Sequence, residues 1–223
     1  MADHSTDGLI SRRDVLKRVG VAGAAAAVPI DAIAQATREP FETLTAAEGA
    51  TLDAIVARLI PTDASGPGAA DARAARYIDR ALGGFLSSFL VAYRAGLAGV
   101  ESYARTVKSA SFTQLSAQDQ DAVLTDMENN AAKGFPGAAL FFNVVLSHTL
   151  QGTFCDPFYG GNANFVGWDL IGYPGVRLAV SADEQAINAH PAPTHMSAYD
   201  YRMFSGKRPA RAALAQDGGH HGE

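Results

Sequence analysis

The chain contains a single cysteine, Cys155, in 223 residues. It cannot form an internal disulfide, and one thiolate cannot hold an iron–sulfur cluster. No Cys-x-x-Cys-His haem motif, Gly-x-Gly-x-x-Gly turn, phosphate loop, His-Glu-x-x-His or Gly-x-Ser-x-Gly elbow occurs. The chain is therefore expected to carry no cofactor of its own. Clustered positive charge is missing beyond the first eighteen residues and the net charge is −5, which argues against a nucleic-acid partner. Beyond Ala36 no apolar run reaches the roughly 20 residues that a membrane span needs. Alternation of apolar and polar residues is brief, β-branched runs are few, and no internal repeat is present, so a mostly helical single domain is expected.

The first segment has a different character. Ser11-Arg12-Arg13-Asp14-Val15-Leu16-Lys17 fits the twin-arginine export pattern, followed by a weakly apolar, alanine-rich stretch from Val19 to Val28. Ala34-Gln35-Ala36 supplies a small-x-small cleavage site, so 1–36 reads as a signal peptide and the mature chain is expected to start near Thr37. Pro29 and Asp31 interrupt the apolar stretch, which is too short to span a bilayer. The leader holds four basic and four acidic residues, so its removal leaves the net charge at −5. The destination implied is the periplasm, an oxidising compartment.

The mature region, 37–204, reads as helices. Thr45-x-x-Glu48 is a capping box, Leu52, Ile55, Val56, Leu59 and Ile60 recur at helical spacing, and Pro61 marks the stop. A loop over Asp63–Gly68 precedes a second helix from Ala69 to Leu82, and Gly83-Gly84 joins it to a third from Phe85 to about Val107. The apolar face of the third comprises Leu86, Phe89, Leu90, Tyr93 and Leu97. Ser116-x-x-Asp119 caps a fourth helix bearing Val123, Leu124 and Met127. A fifth, through Leu140, Phe141, Val144, Val145 and Leu150, is apolar nearly all round, as a central bundle helix is. The tail 205–223 is polar and is expected to be frayed or draped over a partner.

From Phe154 to Gly175 the composition shifts. Five glycines, two prolines and two asparagines provide turn geometry, and six aromatics, including the only tryptophan, sit among them. A solvated linker would not carry so many rings. They are buried either in the chain's own core, as a compact loop closing the end of the bundle, or under another chain as a recognition surface. Cys155 lies at the edge of this segment, and an unpaired thiol in an exported protein is either buried or joined to another chain.

Within this segment, Pro157-x-Tyr159-Gly160-Gly161-Asn162, then Gly167-Trp168 and Leu170-Ile171-Gly172-Tyr173-Pro174-Gly175, resembles the signature of the gluconate 2-dehydrogenase subunit 3 family. The resemblance covers about Phe41 to Tyr201. Where the family often has a charged pair after Gly-Gly-Asn, this chain has Ala163-Asn164. The resemblance implies a small, non-catalytic subunit of a periplasmic dehydrogenase, similar to the γ subunit of FAD-dependent glucose dehydrogenase. Its large partner would be an FAD-containing subunit of the glucose-methanol-choline type, often joined by a multihaem cytochrome c that carries haem c at the membrane. Such partners lack a signal and are exported bound to the small subunit. On this resemblance Cys155, Phe158, Tyr159, Asn162, Trp168 and Tyr173 are expected at the partner interface, with Cys155 open to an inter-subunit disulfide.

One argument independent of the resemblance agrees. Twin-arginine export suits cargo that folds around a cofactor before crossing, yet this chain offers no motif for one, so the cargo is a companion. Two other readings stand beside it. One is a free-standing periplasmic binding module. The other is a metal-dependent enzyme using His148, His190 and His195 with Asp156 or Asp169, although His148 on the apolar fifth helix reads as a hydrogen-bonded core histidine. His190 and His195 flank Pro191 and Pro193 in a surface loop.

Overall fold

A computed structural model describes residues 40–206. Arg12 and Arg13, the cleavage residues Ala34 and Ala36, and the tail beyond Gly206 lie outside the described residues. Seven α-helices and six 3₁₀ turns make up the regular structure, and no strand occurs among the described residues. The fold is mostly α, as the periodicity predicts.

Helix α1 (Ala46–Leu59) starts at Thr45, whose hydroxyl accepts from the Glu48 N–H while the Glu48 carboxylate accepts from the Thr45 N–H. Its buried face is Gly49, Thr51, Leu52, Ile55 and Val56. Helix α2 (Ala74–Leu82) begins five residues later than the sequence suggests. Arg73 takes a left-handed φ of 57°. Before it, the Gly68 N–H donates to both Thr62 Oγ1 and Asp71 Oδ2, which holds the preceding residues in turns. Gly83-Gly84 is the predicted joint, and the helical run from Ser87 to Lys108 is bent by 93° from α2. That run opens with a 3₁₀ turn (Ser87–Phe89), and α3 proper spans Leu90–Lys108. Ser116 caps α4 (Ala117–Glu128), which buries Val123, Leu124 and Met127.

Helix α5 (Ala138–Phe154) is central and packs against α1 to α4. Two glycines permit the close approach. A Cβ at Gly96 on α3 would lie 2.4 Å from the Phe141 ring, and one at Gly152 would lie 3.0 Å from the Ala74 backbone. Its central place agrees with its all-round apolar sequence, although Leu140 and Leu150 stay 70% and 44% exposed. His148 is the hydrogen-bonded core histidine that its position predicts. Its Nδ1 lies 2.8 Å from the Tyr93 hydroxyl, and the two rings stack. Burial pushes the imidazole pKa down, so it stays neutral.

The core is continuous from Leu44 to Val145 and includes Leu52, Val56, Ile78 and Val100 with no exposed surface. Each such side chain contributes roughly 1.5–3 kcal/mol on burial. A polar tie fixes the N-terminal edge. The carboxylate of Asp79, 1% exposed, accepts the N–H groups of Glu42, Thr43 and Leu44 at 2.6, 3.0 and 2.8 Å. No single helix among the described residues is long and apolar enough to cross a membrane.

Candidate functional site

The last turn of α5 leaves carbonyls without helical partners, as every helix C-terminus does. The glycine- and aromatic-rich segment wraps back to meet them. Asn162 N–H donates to Gly152 C=O at 2.8 Å, Asn162 Nδ2 donates to Cys155 C=O at 2.8 Å, and Trp168 Nε1 donates to Phe154 C=O at 2.9 Å. Asn162 Oδ1 then accepts the Gly167 N–H at 2.8 Å, at the start of the short helix α6 (Val166–Leu170). Asn162 is wholly buried and holds φ at 44°, a left-handed conformation that asparagine tolerates. The Gly-Gly-Asn and Gly-Trp of the motif are thus an extended cap on the central helix.

Two glycines are obligatory here for lack of space. A Cβ at Gly161 would sit 2.1 Å from Gly152 O, and one at Gly167 would sit 1.9 Å from Thr153 O. Trp168, 4% exposed, packs edge-on against Tyr173 and is tilted against Phe165. Asn162 and Trp168, expected at a partner interface, therefore lie inside the chain's own fold. Phe158 is half-covered by Tyr199, stacked at 3.7 Å between centroids. Tyr159 and Tyr173 remain exposed, at 46% and 39%.

Asp156, which the sequence offers as a metal ligand, instead anchors a C-terminal strap. Its Oδ1 accepts from Phe158 N and Ser197 Oγ, and its Oδ2 from Ala198 N. Tyr199 follows, its hydroxyl 2.8 Å from that of Tyr159. The hydrogen bond with Tyr199 pushes Tyr159 up to about 12, so that phenol stays protonated. Ser197-x-x-Asp200 forms a capping box, and nothing in the sequence pairs it with Asp156. Likewise His195 Nε2 meets Asp169 Oδ1 at 2.8 Å while its ring stacks on Phe165.

These pairings leave the metal reading with little. His148 is engaged with Tyr93 and Asp156 with the strap, and among the described residues no three His, Cys, Asp or Glu side chains converge on one point.

Beside the cap lies an open, apolar groove of about 620 Å³ lined by Tyr77, Phe85, Leu150, Gln151, Phe154, Cys155 and Tyr159. Phe85 is 68% exposed on its rim. Gln151 is the only amide in the wall, and its Oε1 accepts from Tyr77. Cys155 is a half-buried free thiol, and burial pushes its pKa up to about 12. Its sulfur is therefore protonated at neutral pH, which opposes thiol–disulfide exchange in the isolated chain. Iodoacetamide should alkylate the native chain at pH 8 at least ~100-fold more slowly than the urea-unfolded chain. Equal rates would show that the thiol is freely ionised and that the groove wall is not as described.

A family model described as Gluconate 2-dehydrogenase subunit 3 matches residues 46–175. No curated protein and no solved structure matches the chain. The family match begins at the first turn of α1 and ends on the last glycine of the cap, taking in all five bundle helices and the groove: the chain belongs to the gluconate 2-dehydrogenase subunit 3 family.

Proposed function

We propose that this chain is the γ-type accessory subunit of an FAD-dependent sugar or polyol dehydrogenase of the glucose or gluconate type. It carries the twin-arginine signal for a flavin subunit that has none, docks on that subunit while both are folded, and stabilises it. The complex works in the periplasm and is held at the membrane by its other subunits, among them a multihaem cytochrome c. The observation that carries this reading is what the signature residues do. Asn162, Gly161, Gly167 and Trp168 are spent on shaping a rigid surface, and what they leave outward beside it is an apolar groove. Rigid aromatic surfaces with few charges suit protein docking. Cys155 and Tyr159 stand on the seam of that contact.

The test is co-expression with an FAD-containing subunit of the glucose-methanol-choline type, followed by cell fractionation. Arg12→Lys with Arg13→Lys should leave the flavin subunit in the cytoplasm, whereas the unaltered chain brings it to the periplasmic face. Flavoprotein exported equally well with the double variant would refute the proposal.

A further inference from the structure

The strap is pinned at its base and held lightly at its tip. Val176 N–H donates to Met196 C=O at 2.9 Å, and Tyr201 Oη donates to Val176 C=O at 2.8 Å. One residue therefore anchors the chain on both sides of 197–200. Thr194 doubles the first anchor, donating to Pro174 C=O through its N–H at 2.7 Å and its hydroxyl at 2.8 Å. Between the anchors the tip carries hydrogen bonds of its own. Ser197 N–H donates to Asp200 Oδ2, Tyr199 N–H to Ser197 Oγ, Asp200 N–H to Ser197 C=O and Tyr201 N–H to Ala198 C=O. None of these depends on the surface beneath, so the tip can move as a rigid body.

Among the described residues no backbone-to-backbone bond joins 197–200 to the helices or to the cap. Side chains hold the tip down. The two oxygens of Asp156 take Ser197 Oγ and Ala198 N–H at 2.7 and 2.8 Å, and Tyr199 stacks on Phe158 and meets the Tyr159 hydroxyl. A segment with few buried contacts and no ladder to its neighbours opens locally, at a lower free energy than the whole fold, and lids are drawn from such segments. This tip lies where opening would change a surface. Tyr159 lines the groove together with Cys155, and its hydroxyl is fastened to Tyr199. With Tyr199 withdrawn, the face of Phe158 is bared and the Tyr159 ring is free to turn out of the wall.

We propose that the strap tip 197–200 is a hinged flap. Closed, it ends the groove at Tyr159; open, it joins the groove to Phe158 and uncovers the Cys155 thiol. The hinge is the pair of bonds to Val176, and the latch is Asp156 with Tyr199. The flap sets how long an apolar segment the groove can take. This device belongs to the chain alone and holds or fails independently of the accessory role.

The experiment combines amide hydrogen exchange with iodoacetamide alkylation on the full chain. In the unaltered chain the Ala198 amide, whose acceptor is Asp156, should exchange at least tenfold faster than the Thr149 amide within α5. Tyr199→Ala leaves Asp156 and its charge in place, so the environment of the thiol changes only through the flap. That variant should speed alkylation of Cys155 at least tenfold while the thermal midpoint stays that of the unaltered chain. Ala198 exchanging as slowly as Thr149 would show that the strap opens only with the bundle and would overturn the proposal. Faster Ala198 exchange in Tyr199→Ala with an unchanged alkylation rate would give a flap that does not gate the groove, and overturn it equally. Faster alkylation accompanied by a lowered midpoint would make the strap part of the cooperative core, which is the third result against it.

Discussion

Gly167→Ala should lower the thermal midpoint by on the order of 10 °C, measured by circular dichroism on the chain without its leader. The reason is geometric. The new methyl would stand 1.9 Å from Thr153 O and 3.0 Å from Asn162 Oδ1, the first a backbone atom held in the central helix. Neither can yield without lifting the cap, so Gly167 N–H would leave Asn162 and the Trp168 indole would leave Phe154 C=O. Loss of two such bonds with partial exposure of a tryptophan is worth roughly 3–5 kcal/mol. At this chain length each kcal/mol moves the midpoint by about 2–4 °C. Gly172→Ala is the control. Its φ is 65°, but nothing lies within 4 Å of the added methyl, so only the conformational cost of about 1 kcal/mol applies. Equal shifts for the two variants would mean that backbone conformation, and not close approach, sets the requirement for glycine.

The second large effect is expected at Asp79. Replacement by alanine strands three N–H donors, those of Glu42, Thr43 and Leu44, at the point where the described chain enters the bundle. The Leu44 bond is fully buried, whereas the other two are partly open to water. The loss should therefore be about 3–5 kcal/mol and not three full desolvation penalties. Asp79→Asn keeps one acceptor oxygen and should fall between. Amide hydrogen exchange gives a local readout: Thr43 and Leu44 should lose protection in the alanine variant before the helices do. Unchanged exchange at both would show that the edge is held by Phe41 packing on Gly49 and Arg76 instead.

Local chemistry was easy to read in the sequence, and contact between distant segments was not. Thr45-x-x-Glu48, Ser116-x-x-Asp119 and the Gly83-Gly84 joint all appear where their spacing places them, because each depends on neighbours within a turn. The start of α2 was misread because alanines favour helix at 69–73, whereas Asp71 and Thr62 bind Gly68 and Arg73 turns left-handed. The signature segment was found, but two of its most informative residues proved to face inward. Asn162 and Trp168 bond to carbonyls of α5, whose availability depends on where that helix ends. The groove is not legible in the sequence, since Phe85, in the turn after α2, and Leu150, on α5, both look like core residues.

Asp156 has a consequence for synthesis. Its bond to the Ser197 hydroxyl joins the cap to a segment 41 positions further along the chain, beyond the last of the bundle helices. A growing chain can assemble its bundle while the strap is still inside the ribosome, but Tyr199 cannot cover Phe158 until the C-terminal segment emerges. The aromatic face is therefore completed after the bundle, once Tyr199 is free of the ribosome. Any companion that reads the strap and the cap together meets only chains extended past Tyr201, which makes pairing with shorter nascent chains unproductive.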